Sequence, residues 1–60
     1  MKRQALLRWL QKEGCVLLRS GGNHDINVNT NTGKKQRVPR HSEIDERLVR
    51  HILRYLGLEQ

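Results

Sequence analysis

The sequence predicts an α+β domain ordered α-β-β-β-α, a three-stranded antiparallel sheet with both helices on one face. Three observations lead there. Helical periodicity of apolar residues occupies the two ends of the chain. Two clusters of turn residues, Ser20-Gly21-Gly22-Asn23 and Thr30-Asn31-Thr32-Gly33, divide the middle into short strands. Each helix carries a single apolar stripe, so the economical packing lays both against the same side of the sheet.

Lys2 to Glu13 reads as the first helix. Leu6, Leu7 and Leu10 form its stripe, while Ala5, Arg8 and Lys12 fall on the other side. Gly14 follows and suits a left-handed C-cap. Trp9 lies just off the stripe and is expected to be a partly buried lid on the core edge. Cys15-Val16-Leu17-Leu18-Arg19 is an apolar run after a helix stop, and reads as the first strand. His24 to Asn29 alternates, with Ile26 and Val28 on one face and Asp25, Asn27 and Asn29 on the other. The pattern predicts a half-buried strand with Ile26 and Val28 turned inward. Lys34 to Val38 is the third strand, ended by Pro39.

The second helix is the clearest element. Leu48, Val49, Ile52, Leu53 and Leu56 repeat on one face, and Arg47, Arg50, His51 and Arg54 occupy the other. Asp45 is placed to cap its N-terminus, with Ile44 and Val49 as a hydrophobic staple. Ser42 offers a second cap one turn earlier. Gly57 stops the helix. The whole arrangement is that of a double-stranded-RNA-binding domain.

Length and composition narrow the function. Sixty residues make one domain, residues 1–60, with 35% hydrophobic content. Folding at this size buries about 60% of the unfolded chain's surface, too little for a deep cofactor cavity. The longest apolar run, Cys15–Leu18, falls far short of the roughly 20 residues a membrane span needs. Met1-Lys2-Arg3 is followed by no hydrophobic stretch of the secretory kind. A single cysteine makes no internal disulfide and no usual zinc site. These features predict a cytoplasmic protein with no membrane association.

Charge says more. Twelve Lys and Arg stand against six acids, a net +6, and eight of the twelve are Arg. The guanidinium fork suits phosphate, and a pI near 10.5 is the footprint of a nucleic-acid or acidic partner. With one Trp, one Tyr and no Phe, the chain lacks the aromatic platform of the usual single-strand binders. An RNA partner is therefore expected to be held by backbone charge and shape.

Metal and cofactor chemistry find no support in the spacing. Glu43, Asp45 and Glu46 cluster where a helix begins, and the helix dipole accounts for them. Cys15 reads as a small core residue. Gly21-Gly22 is followed by a strand and by no GK[ST] signature, so it is no phosphate loop. No cofactor is expected.

His24 stands apart. It opens a strand after Gly21-Gly22-Asn23, where glycine lets a backbone approach a bulky ligand. Arg19 flanks the turn, and Lys34, Lys35 and Arg37 lie on the next strand. An imidazole among cations suits RNA cleavage in which the 2′-hydroxyl attacks its own phosphate, a reaction needing a base, an acid and positive charge. Strand parity, however, puts His24 on the Ile26 and Val28 side, so a histidine at the end of the core is the competing reading. His41 follows Pro39-Arg40 and either touches phosphate or simply ends the strand. His51, on the polar helix face, is expected to be exposed.

Three segments then carry a resemblance. They are Gly21-Gly22-Asn23-His24, then Arg37-Val38-Pro39-Arg40-His41, then Glu43-Ile44 leading to Leu48-Val49-Arg50-His51-Ile52-Leu53 and Leu56-Gly57-Leu58. In this order they resemble the HicA-type toxins, the ribonuclease half of the HicA–HicB toxin–antitoxin pairs, over essentially the whole chain. The resemblance implies a fold like a double-stranded-RNA-binding domain, mRNA cleavage by one histidine mapping onto His24, and inhibition by a HicB-type antitoxin that covers the site. The toxin alone is expected as a monomer, and with its antitoxin as a hetero-oligomer. Asp25 stands where many relatives carry another residue, and is expected either to slow turnover or to orient His24. The family motif supplies no general acid.

The candidate site is thus His24 as catalyst, with Arg19, Gly22, Asn23, Lys34, Lys35, Arg37 and Arg40 as RNA-binding residues. A binding module without activity is the alternative. A helix-turn-helix DNA binder is disfavoured, because a predicted sheet separates the two helices.

Overall fold

The computed structural model describes residues 1–58. It runs α1 (Arg3–Lys12), β1 (Cys15–Gly21), β2 (His24–Asn29), β3 (Lys35–Pro39) and α2 (Glu46–Tyr55). The sheet is an antiparallel meander in the order β1-β2-β3. No helix among the described residues is long and apolar enough to cross a membrane.

Both helices lie on one side of the sheet, and two contacts of β2 establish it. Asp25 reaches Arg3 of α1, and Asn29 Nδ2 donates to the Leu56 carbonyl at the end of α2, at 2.7 Å. Asp25 and Asn29 are four residues apart on one strand and therefore share a face. The core between the layers holds Leu6 and Leu10 of α1, Val49, Ile52, Leu53 and Leu56 around α2, and Ile44 before it. From the strands it takes Cys15 and Val38.

The middle strand is turned opposite to the expectation from its pattern. Asp25, Asn27 and Asn29 face the helices and are buried, while Ile26 and Val28 lie half-buried on the open side. The alternation was legible but its sense was not. α1 packs over β1 and α2 over β3, and the helical side chains make up most of the buried apolar cluster, so the middle strand need not bring apolar side chains inward. The polar groups that go in are matched instead, Asp25 by two guanidinium groups and Asn29 by a helix carbonyl. Asn27 Nδ2 is the exception, buried with no partner. On β1, Val16, Leu17 and Leu18 remain exposed, at 48%, 56% and 49%. The strand bulges between Leu17 and Arg19. Trp9, expected as a lid, is 39% exposed and stands outside the buried cluster.

Helix ends follow the sequence closely. Asp45 caps α2, its carboxylate accepting from Arg47 N at 2.8 Å. Gly57, at φ +79°, closes the other end. Its N–H bonds to Arg54 O and that of Leu58 bonds to Leu53 O, a Schellman closure. Ser42 caps nothing there. Its carbonyl accepts from Arg3 N at 3.0 Å, and Ile44 N donates to Met1 O at 2.8 Å. The start of α1 is thereby laced to the segment entering α2. Gly14, at φ +91°, lets β1 leave α1 directly, and its carbonyl accepts from Thr30 N and Oγ1.

Candidate active site on the open sheet face

The turn before His24 is shorter than its composition suggested. Ser20 and Gly21 still belong to β1, and Gly21 pairs with His24. Only Gly22 and Asn23 form the loop. Gly22 takes φ +52° while Asn23 does not go positive, the pattern of a type II′ hairpin with glycine first. This tight reversal puts His24 at the first position of β2, directly opposite Pro39 of β3.

His24 shares a face with Ile26 and Val28, as parity predicted, but that face is the open one. Its side chain is exposed. The reading as a core histidine is therefore overturned, for the same reason that β2 as a whole is reversed.

Register lines up the cations. Arg19, Ile26 and Arg37 form one rung across the three strands, and Val28 stands opposite Lys35 on a further rung. Arg19 and Arg37 thus flank the open face two residues from His24, about 7 Å along the strand. Two hollows meet at the imidazole. One is lined by Arg19, Ser20, Gly21, Ile26 and Arg37 with His24, the other by Gly22, Asn23, Pro39, Arg40 and His41 with His24. A larger hollow further along takes in Arg19, Lys35, Arg37 and Tyr55 but not His24. Lys34 lies at the far end, beside Gly33 and Tyr55, and is not brought to the imidazole.

Asp25 points the other way. Its carboxylate bonds Arg3 Nη2 and accepts from Arg40 Nε at 2.9 Å, under the helices. Burial alone would raise its pKa. Arg40, the Ser20 hydroxyl and Arg3 outweigh that and hold it below the ordinary carboxylate value. Asp25 therefore does not orient His24, contrary to the expectation. Arg40, expected as a phosphate ligand, is committed at least in part to this ion pair. Its backbone N–H also donates to Asn23 O at 3.3 Å, fixing the hairpin turn from the β3 side.

A family model described as the HicA toxin of bacterial toxin–antitoxin matches residues 3–58. The chain belongs to the HicA toxin family. It is thus a toxin of a toxin–antitoxin system, with an antitoxin as its partner. No curated protein and no solved structure gives a significant match. On the HicA fold seen here, Arg19, Gly22, Asn23, Arg37 and Arg40 gather around His24. Lys35 sits further along the same face and Lys34 at its end.

His41 is the residue that reading the sequence undervalued. It lines a hollow with His24. Its place follows from counting back along an antiparallel pair: with Pro39 opposite His24, position 41 falls beside the glycine turn. Arg3 was also missed as a partner of Asp25, because nothing local in the sequence joins α1 to β2. Among the described residues no group of three or more His, Cys, Asp or Glu side chains is arranged to hold a metal ion.

Proposed function

We propose that this HicA-family toxin is an endoribonuclease that cleaves mRNA in the cytoplasm through His24, without a metal ion, and is silenced by a HicB-type antitoxin. The observation that carries the reading is the exposed imidazole of His24 between two hollows, with Arg19 and Arg37 two residues along the same face.

RNA carries its own nucleophile. His24 takes the proton of a ribose 2′-hydroxyl, whose oxygen then attacks the adjacent phosphorus. The P–O5′ bond breaks, leaving a 2′,3′-cyclic phosphate and a 5′-hydroxyl. Arg19 and Arg37 stabilise the charge gathering on the non-bridging oxygens. The nucleophile is internal to the substrate, so the step requires no metal-activated water. An antitoxin presenting acids to the same arginines would both associate quickly and cover the imidazole.

His24→Ala tests the reading. The variant should keep its circular dichroism and its affinity for RNA, and lose cleavage and growth inhibition. Cleavage at the wild-type rate would remove His24 as the catalyst. A wild-type chain that binds RNA without cutting it, and loses affinity on substitution, would make this a binding module.

A further inference from the structure

We propose that His41 is the second catalytic group, the general acid that protonates the leaving 5′-oxygen. The proposal rests on the endoribonuclease reading and adds to it the group that delivers a proton opposite His24.

Backbone geometry places His41. The β2–β3 ladder ends with His24 opposite Pro39. The Arg40 N–H bond to Asn23 O carries the pairing one residue further. Position 41 thus comes alongside the Gly22 turn. Alternation along the strand sends Val38 and Arg40 toward the helices, where Val38 is buried and Arg40 holds Asp25. Pro39 and His41 are left for the open side, which is the side of His24. The two imidazoles line one hollow with Gly22, Asn23, Pro39 and Arg40, and both are exposed.

The spacing suits in-line transfer. Residues diagonal across an antiparallel pair stand about 7–8 Å apart, room for one phosphodiester between the two rings. Gly22 leaves open space beside them: a Cβ added there would meet nothing within 4 Å. Arg40 anchors the chain immediately before His41 through Asp25 on the opposite face, so the acid sits on a held segment.

The protons balance. His24 accepts the 2′-hydroxyl proton as the O2′–P bond forms. Protonated His41 gives its proton to O5′ as the P–O5′ bond breaks, releasing the 5′-hydroxyl. In the return step neutral His41 takes a proton from water, whose oxygen attacks phosphorus. The P–O2′ bond breaks, and His24 returns its proton to O2′, leaving a 3′-phosphate and both residues as they began.

A substrate whose leaving group needs no acid tests this. A short RNA with sulfur in place of the bridging 5′-oxygen departs as a thiolate. Wild type, His24→Ala, His41→Ala and His41→Asn are compared on the oxygen and sulfur substrates, with thermal unfolding and affinity for an uncleavable 2′-O-methyl RNA as controls. His41→Ala and His41→Asn should lose about 10²–10⁴-fold in kcat on the oxygen substrate and recover near-wild-type rates on the sulfur one, with unfolding and affinity little changed. His24→Ala should be inactive on both. Equal loss on both substrates in the His41 variants, full activity of those variants on the oxygen substrate, or rescue of His24→Ala instead would each overturn the role of His41 while leaving the nuclease reading standing. A wild-type chain that cuts neither substrate would end both.

Discussion

Arg40 and Asp25 join the exit of β3 to β2 beneath the helices, Nε to Oδ1 at 2.9 Å, while their chain neighbours His41 and His24 face the opposite way. One ion pair on the covered side thereby positions two imidazoles on the exposed side. The fold and the candidate chemistry meet at this point, and it can be probed directly.

Replacing Asp25 should reshape the acid limb of stability. Its carboxyl is held below the ordinary value in the folded state, so the unfolded chain binds the proton more readily on acidification. The contribution is fully present above the unfolded value of about 3.9 and is lost as pH falls through the folded one. Thermal unfolding followed from pH 7 to pH 2 should show Asp25→Asn less stable than wild type near neutrality, with the two curves converging in acid. A constant gap across the range would mean the charge is not what holds Arg3 and Arg40.

Asn29 and Asn27 share a buried face and should respond oppositely. Asn29→Ala leaves the Leu56 carbonyl without its 2.7 Å bond and should cost about 1–3 kcal/mol. Asn27 Nδ2 has no partner, so Asn27→Leu should be neutral or stabilising, since apolar replacement removes an unsatisfied group. Urea unfolding of both variants checks the pair. A loss as large for Asn27→Leu as for Asn29→Ala would contradict the assignment.

Core and open-face truncations should separate widely. Ile52→Ala, fully buried, should cost about 2–5 kcal/mol. Leu18→Ala, half exposed at the β1 bulge, should cost under about 1 kcal/mol. Denaturant midpoints measured together would expose any error in which side of the sheet is covered.

RNA affinity should depend on salt and on the arginine rung. Charge reversal at Arg19 or Arg37 should weaken binding of uncleavable RNA and lower the salt slope by about 1 for each phosphate left without its arginine. The same change at Lys34, at the far end of the sheet, should have a much smaller effect. Binding titrations from low to high salt measure both. An antitoxin that competes for the same rung should lose affinity with the arginine variants in parallel.

Cys15 should be a quiet thiol. Burial, and secondarily Glu13, push its pKa up, so little thiolate forms at neutral pH. Reaction with a disulfide reagent should be slow in the folded protein and fast in urea. Rapid labelling of the native state would place the thiol nearer solvent than its packing implies.

Much of this molecule was legible in the sequence because its signals are local. The stripe of Val49, Ile52, Leu53 and Leu56, the Asp45 cap and the Gly57 stop each act within one or two turns, and each lands where expected. The glycine before Asn23 foretold a tight reversal for a similar reason. What failed was the sense of β2. Alternation says that two faces differ, but which one is covered depends on what α1 and α2 bring to it. A sequence gives no view of Arg3 reaching Asp25 across twenty-two positions, or of Asn29 meeting the end of α2. The same blindness allowed the competing reading of His24 as a core histidine, grouped Lys34 with the arginines, and gave no sign that the loop residue His41 lines a hollow with His24.

With the helices supplying most of the packing, the outer surface of β2 is relieved of folding the domain. Ile26, Val28 and the flanking Arg19, Lys35 and Arg37 can be exchanged at small thermodynamic cost. Such a surface is free to drift. Descendants that keep the same interior can part company with one antitoxin and take up another without passing through an unfolded ancestor.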